Sequence, residues 1–228
     1  MANKIRYFVL IPDVYQERFL AIAQKNGLPK EEFAFASKRD QLDQLAETYG
    51  AFPFLISFST SVIVPRQYLN QPGQIAVNIH AASPDYPGRD PHHYAIYEGA
   101  TEYGATLHYM TDKVDAGPII AVELFRIDED ITPLQLMQQA NTYAWILIEK
   151  LLFWIQQGIP LPQTDRVWSS VKKNRKDFLQ FCKIEPNMEK SELDKRIRAF
   201  HVDGYSNLYT EIQGVKFFYL KPLIKEQQ

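Results

Sequence analysis

Between Ala76 and Ile120 the sequence gathers side chains suited to proton handling and charge stabilisation: Asn78, His80, His92, His93, His108 and Asp115. Asn78 and His80 are one residue apart, so on an extended segment they project to the same side. An amide donor, an imidazole and a carboxylate together could hold an oxyanion and manage protons at a carbonyl carbon. Asn-x-His alone is a weak signal, and a histidine at a strand end is more often a structural hydrogen-bonder. A metal centre is the other reading of clustered histidines. Zinc sites use close Cys or His pairs flanking a loop, or His-x-x-x-His on a helix, and neither spacing is present. Adjacent His92 and His93 would diverge by about 100° on a helix. No metal is expected.

These residues need elements to position them. "IRYFVLI" (5–11) is β-branched and aromatic, and Pro12 ends it, so it reads as a buried strand. "VYQERFLAIAQKNG" places Val14, Phe19, Leu20, Ile22 and Ala23 at helical spacing, with Gly27 as a stop. A strand at "EFAFAS", a helix closed by Gly50, and strands at "FPFLISFS" and "GQIAVNI" follow. Strands alternating with helices predict an α/β fold, a parallel sheet with helices on both faces. Functional groups in such sheets collect beyond the carboxyl ends of strands, and Asn78 and His80 sit at such an end.

"PHHYAIYEG" has Pro91 at a first helical position and Gly99 past the end, which predicts a short helix. "EYGATLHYM" alternates, putting Thr106, His108 and Met110 on one face. "GPIIAVELFRI" reads as a strand, and a long helix opens at Thr132-Pro133 and runs to Gly158. After "GIPLPQ" the character changes to a small C-terminal α/β extension. The expected division is residues 1–163 and 164–228. Neither G-x-G-x-x-G nor G-x-x-x-x-G-K-[ST] occurs, so a phosphate cradle at the first helix is unsupported.

Composition narrows the class. A net charge of −2 does not call for nucleic acid or an anionic membrane as partner. The single cysteine, Cys182, rules out a disulfide within the chain and sits in an apolar context that predicts inert packing. "MANKIRYFVLIPD" is too short an apolar run for a signal peptide, and "YAWILIEKLLFWI" falls short of the ~20 residues of a spanning helix. A soluble cytoplasmic protein is expected.

The stretch "NIHAASPDYPGRDPHHYAIYEGATEYGATLHYMTDKVDAGPII" resembles the signature of the folate-dependent formyltransferases. That family shows Asn-x-His, Pro-x-Tyr-x-Gly, a helix ending in Gly, Gly-x-Thr-x-His and an Asp-x-Gly loop, in this order. The likeness is strong over Phe54 to Leu124. It implies a Rossmann-like, mostly parallel sheet and N-formyl transfer from 10-formyltetrahydrofolate, without metal. Asn78 then matches the oxyanion-stabilising Asn, His80 the catalytic His, and Asp115 the carboxylate that supports the histidine's charge and moves protons. His108 matches a supporting or water-holding His. The resemblance also implies that the pterin is gripped by the backbone of Val62, Ile63 and Val64 and of Thr111, Asp112, Lys113, Val114 and Asp115. Arg89 matches an Arg beside the cofactor in the sugar-modifying branch.

Two departures bear on the substrate. The family often has "HxSLLPxYRG"; here "HAASPDYPG" is one residue shorter and lacks the first Arg. The glycine-rich phosphate loop of the purine-pathway relatives is missing, and a full domain of the kind that reads initiator tRNA is not expected in the residues that remain. "ISFSTSVIVP" and "RIRAF…GY" resemble the sugar branch, which implies the amine of a nucleotide-linked amino sugar as acceptor. Glycinamide ribonucleotide, or a folate-binding inactive relative, is the alternative. Tyr86, His92 and Tyr205 are candidate acceptor contacts, although exposed helix positions are the commoner expectation for His92 and His93. Tyr205, Tyr209, Phe217, Phe218 and Tyr219 are read three ways: as ordinary core, as a stack for a base, or as the mating face of a homodimer.

Overall fold

The computed structural model describes residues 5–69 and 71–220. The first four residues of the N-terminal stretch and the last eight of the extension lie outside the described residues. A six-stranded sheet runs in the order β2-β1-β3-β4-β5-β6. Its strands are β1 (Tyr7–Leu10), β2 (Phe33–Ala36), β3 (Phe54–Phe58), β4 (Ile75–His80), β5 (Glu102–Tyr109) and β6 (Ile119–Arg126). The first four are mutually parallel, and β5 and β6 pair antiparallel.

The helices are α1 (Asp13–Lys25), α2 (Arg39–Tyr49), α3 (Pro91–Glu98), α4 (Pro133–Gln157), α5 (Arg175–Cys182) and α6 (Lys190–Phe200). Both faces of the sheet are covered. Tyr7 and Val9 pack with Phe19 and Ala23 of α1 and with Trp145, Ile148 and Leu152 of α4. The alternate residues Phe8 and Leu10 pack with Leu42 of α2 and with Phe52 and Leu55. One helical expectation fails in detail: Val14 is 81% exposed, because α1 turns that position away from the sheet.

β5 runs antiparallel to β4, so the chain re-enters the sheet from the end where it left β4.

The extension is built from α5, α6 and the hairpin β7 (Tyr209–Ile212) with β8 (Val215–Phe218). Tyr94 of α3 shares one core with Phe178, Cys182, Phe200 and Leu208. Cys182 is fully buried, and burial pushes its thiol up to about 12, which suits inert packing. The tail aromatics divide: Tyr209 and Tyr219 pack against this core, whereas Tyr205, Phe217 and Phe218 stand exposed. No described helix is long and apolar enough to cross a membrane.

Candidate active site

On β4, Val77 and Ile79 face the α1/α4 core, so Asn78 and His80 turn to the opposite face. Antiparallel pairing sets Asn78 directly across from His108 and His80 across from Thr106. Directly opposed residues share a face and touch. Asn78 Nδ2 lies 3.1 Å from His108 Nε2, and His108 Nδ1 lies 2.8 Å from the Tyr109 carbonyl oxygen. A carbonyl can only accept, so Nδ1 carries the proton and Nε2 accepts from the Asn78 amide. Burial pushes the His108 imidazole down to about 4, against the pull of Asp115, so the ring is neutral at physiological pH.

His80 is oriented by the loop that follows it. Its Nε2 donates to the Tyr86 carbonyl at 3.1 Å, which leaves Nδ1 facing Asp115 Oδ2 at 3.7 Å. Asp115 lies on the connection between β5 and β6 and is buried. Its Oδ2 accepts from the Gly88 amide at 2.9 Å, and its Oδ1 stands 3.6 Å from His108 Nε2. Asp115 holds a left-handed backbone (φ 44°), as does Ser59 (φ 53°) on the loop after β3. Non-glycine residues in that region store strain, which collects at functional sites.

Asn78, His80, His108 and Asp115 open into a cavity of about 260 Å³. Val62, Ile63 and Val64 line one wall, and the stretch from Thr111 to Asp115 lines another. Val62, Val64, Leu69 and Met110 also pack against the core beneath it. Apolar surface beside two lengths of loop backbone suits a flat heterocycle with polar edges. Among the described residues, no cluster of three or more His, Cys, Asp or Glu side chains is arranged to hold a metal ion.

Other candidate residues lie apart from this cavity. The Arg89 side chain is turned to Asp90, with Nε 3.2 Å from Oδ2. Tyr86 lines a small separate cavity with Tyr94 and Lys173. His92 and Tyr205 share a third cavity, at the seam between α3, α4 and the extension. His93 corrects the expectation of an exposed position: it is buried, its Nδ1 donates to the Ala199 carbonyl at 2.6 Å, and its ring stacks on Phe200. The packing of α6 onto α3 causes this.

Trp168 was not singled out by sequence reasoning, and Gly88 entered only as the glycine of the Pro-x-Tyr-x-Gly motif. Trp168 Nε1 donates to the Gly117 carbonyl at 2.8 Å. Its ring stands roughly perpendicular to His108, with centroids 4.9 Å apart, and lies 5.9 Å from His80. A tryptophan inside the polar segment "DRVWSSVKK" was the available signal. Gly88 has φ 104°, and a Cβ there would sit 2.2 Å from the Lys173 carbonyl oxygen.

The formyl transferase family model matches residues 18–151, more than half of the chain. The chain belongs to the formyl transferase family. A methionyl-tRNA formyltransferase of Geobacillus thermodenitrificans is 27% identical over 182 residues, covering 78% of this chain and 56% of that protein. The chain spans about half the length, or less, of the curated relatives it matches. Among solved structures, a sugar N-formyltransferase from Shewanella sp. superposes with a TM-score of 0.74 at 15% identity, covering 94% of this chain and 96% of that one. An N-formyltransferase from Helicobacter canadensis, solved with folinic acid and dTDP-3-aminofucose, gives 0.69 at 21% identity, covering 93% and 86%. These likenesses show the fold.

Proposed function

We propose that the chain transfers a formyl group from 10-formyltetrahydrofolate to the amine of a nucleotide-linked amino sugar. The observation that carries this reading is the cluster of Asn78, His80, His108 and Asp115 opening into one loop-walled cavity. The folate supplies an activated formyl amide. Its pterin would lie against the backbone of Val62–Val64 and of Thr111–Asp115.

In this reading His108 orients the Asn78 amide. The second amide hydrogen of Asn78 is then free to meet the negative charge that develops on the formyl oxygen. His80, whose Nε2 is held by the Tyr86 carbonyl, takes the amine proton on Nδ1 with Asp115 beside it and returns it to the departing nitrogen. His92 and Tyr205 are proposed as contacts for the nucleotide end of the acceptor.

The acceptor class is favoured by the Helicobacter neighbour, which was solved with a nucleotide-linked amino sugar. Methionyl-tRNA is the second reading, favoured by the named sequence relatives. A net charge of −2 counts against it, because nucleic-acid affinity rests largely on neutralising phosphates. We also propose that exposed Phe217 and Phe218 of the hairpin face a second copy of the chain.

The test incubates the chain with 10-formyltetrahydrofolate and amino-sugar nucleotides, glycinamide ribonucleotide or methionyl-tRNA. Mass spectrometry should find one added formyl group on an amino-sugar nucleotide. Formylation of methionyl-tRNA or glycinamide ribonucleotide alone would overturn the acceptor class. Absence of transfer to every acceptor would overturn the activity.

A further inference from the structure

A second cleft, of about 480 Å³, adjoins the cavity described above. The two share Lys113, Val114 and Asp115 in their linings. Transfer between two substrates requires both to reach one proton-handling group. Two cavities meeting at the Asp115 loop meet that requirement, and a donor seated in the first leaves the second for the acceptor.

The chemistry of the second cleft is mixed in an informative way. Trp168 supplies a large half-buried aromatic surface, fixed by its bond to Gly117 and by contact with both histidine rings. Lys113 and Lys172 bring two exposed ammonium groups to the same lining. Among the described residues neither lysine makes an ion pair, and Lys172 Nζ reaches only the Val114 carbonyl. An aromatic face suits the apolar side of a sugar ring, and free ammonium groups suit phosphate oxygens. Trp168 and Lys172 both lie outside residues 18–151, so this recognition is attached to the family-matched core by the segment after α4.

We propose that this cleft is the acceptor site, with Trp168 packed on the sugar ring and Lys113 and Lys172 holding a diphosphate. The assignment rests on the reading of the chain as a sugar N-formyltransferase. Trp168 touches both the acceptor and the histidines, which aligns the incoming amine with the proton-handling groups.

The test is calorimetric titration of the full chain with UDP-glucose and dTDP-glucose as unreactive probes, and with folinic acid as a control for the first cavity. Trp168→Ala and Lys172→Ala should each weaken binding of the nucleotide sugar tenfold or more. Folinic acid affinity should stay within twofold of the parent chain. Trp168→Phe, which keeps an aromatic face, should recover most of the loss. Thermal unfolding of Lys172→Ala, a change at an exposed position, should be unaltered. Parent-like nucleotide-sugar binding in both alanine variants would overturn the cleft assignment and leave the acceptor class standing. Failure of the parent chain to bind either probe, while it binds folinic acid, would overturn the acceptor class and the cleft together.

Discussion

The Asn78 amide carries two hydrogens, and the fold engages one of them with His108. That division makes Asn78 a preorganised donor, since its orientation is fixed before any substrate arrives. Asn78→Ala should lower kcat about 10²–10³-fold, the usual loss on removing one oxyanion donor. Asp115→Asn keeps an oxygen for the Gly88 amide but removes the charge beside His80. Its kcat should fall comparably, and adding His80→Asn should lower it little further, because groups acting as a unit are non-additive. Steady-state rates and thermal unfolding measured on the same variants decide the matter. Near-normal turnover with lowered melting temperature would make these residues structural hydrogen-bonders. Gly88→Ala should lower both quantities, since a Cβ at φ 104° meets the Lys173 carbonyl and displaces the amide that holds Asp115.

At the scale of elements, the long helix α4 braces the sheet on the face opposite Asn78 and His80. Thr132 caps it: its hydroxyl accepts from the Gln135 amide, and Gln135 Oε1 accepts in return from the Thr132 amide at 2.9 Å. Thr132→Ala should destabilise the protein by about 1 kcal/mol in urea unfolding, with turnover unchanged. A loss confined to turnover would contradict that role. This cap was legible in the sequence, as were Pro91 and Gly99 around α3, because capping depends on neighbours a few residues apart. The alternation of "EYGATLHYM" likewise showed which face His108 shares. Strand register was not legible: nothing local states that residue 108 pairs with residue 78, which is what joins His108 to Asn78. Trp168 was missed for the same reason, since its partners Gly117, His108 and His80 lie far off in sequence. His93 was read as surface because α6, its cover, begins almost a hundred residues later.

Across the whole molecule, the fold holds several histidines in their neutral form. Burial pushes His108 down to about 4 and His92 to about 3, and lowers His93 as well. An unfolded histidine titrates near 6.5. Between that value and the depressed ones, the unfolded chain binds more protons than the native state, so stability rises with pH. The contribution is fully present above about pH 6.5 and is lost as pH falls below it. Each such histidine adds a slope of up to about 1.4 kcal/mol per pH unit, so three together reach about 4 kcal/mol per unit at most. Carboxylates with lowered values, such as Glu192 and Asp43, start from ordinary values of 4.5 and 3.8 and add their loss at lower pH. The interval from pH 6.5 to pH 5 therefore reports mainly on the histidines. Urea unfolding followed at pH 7, 6 and 5 should show stability falling by several kcal/mol across that range. His93→Gln, which cannot take a proton, should make the slope shallower. A stability that stays flat between pH 6.5 and 5 would mean that these rings are hydrated or already charged in the native state. The neutral, hydrogen-accepting His108 on which the orientation of Asn78 depends would then have to be abandoned.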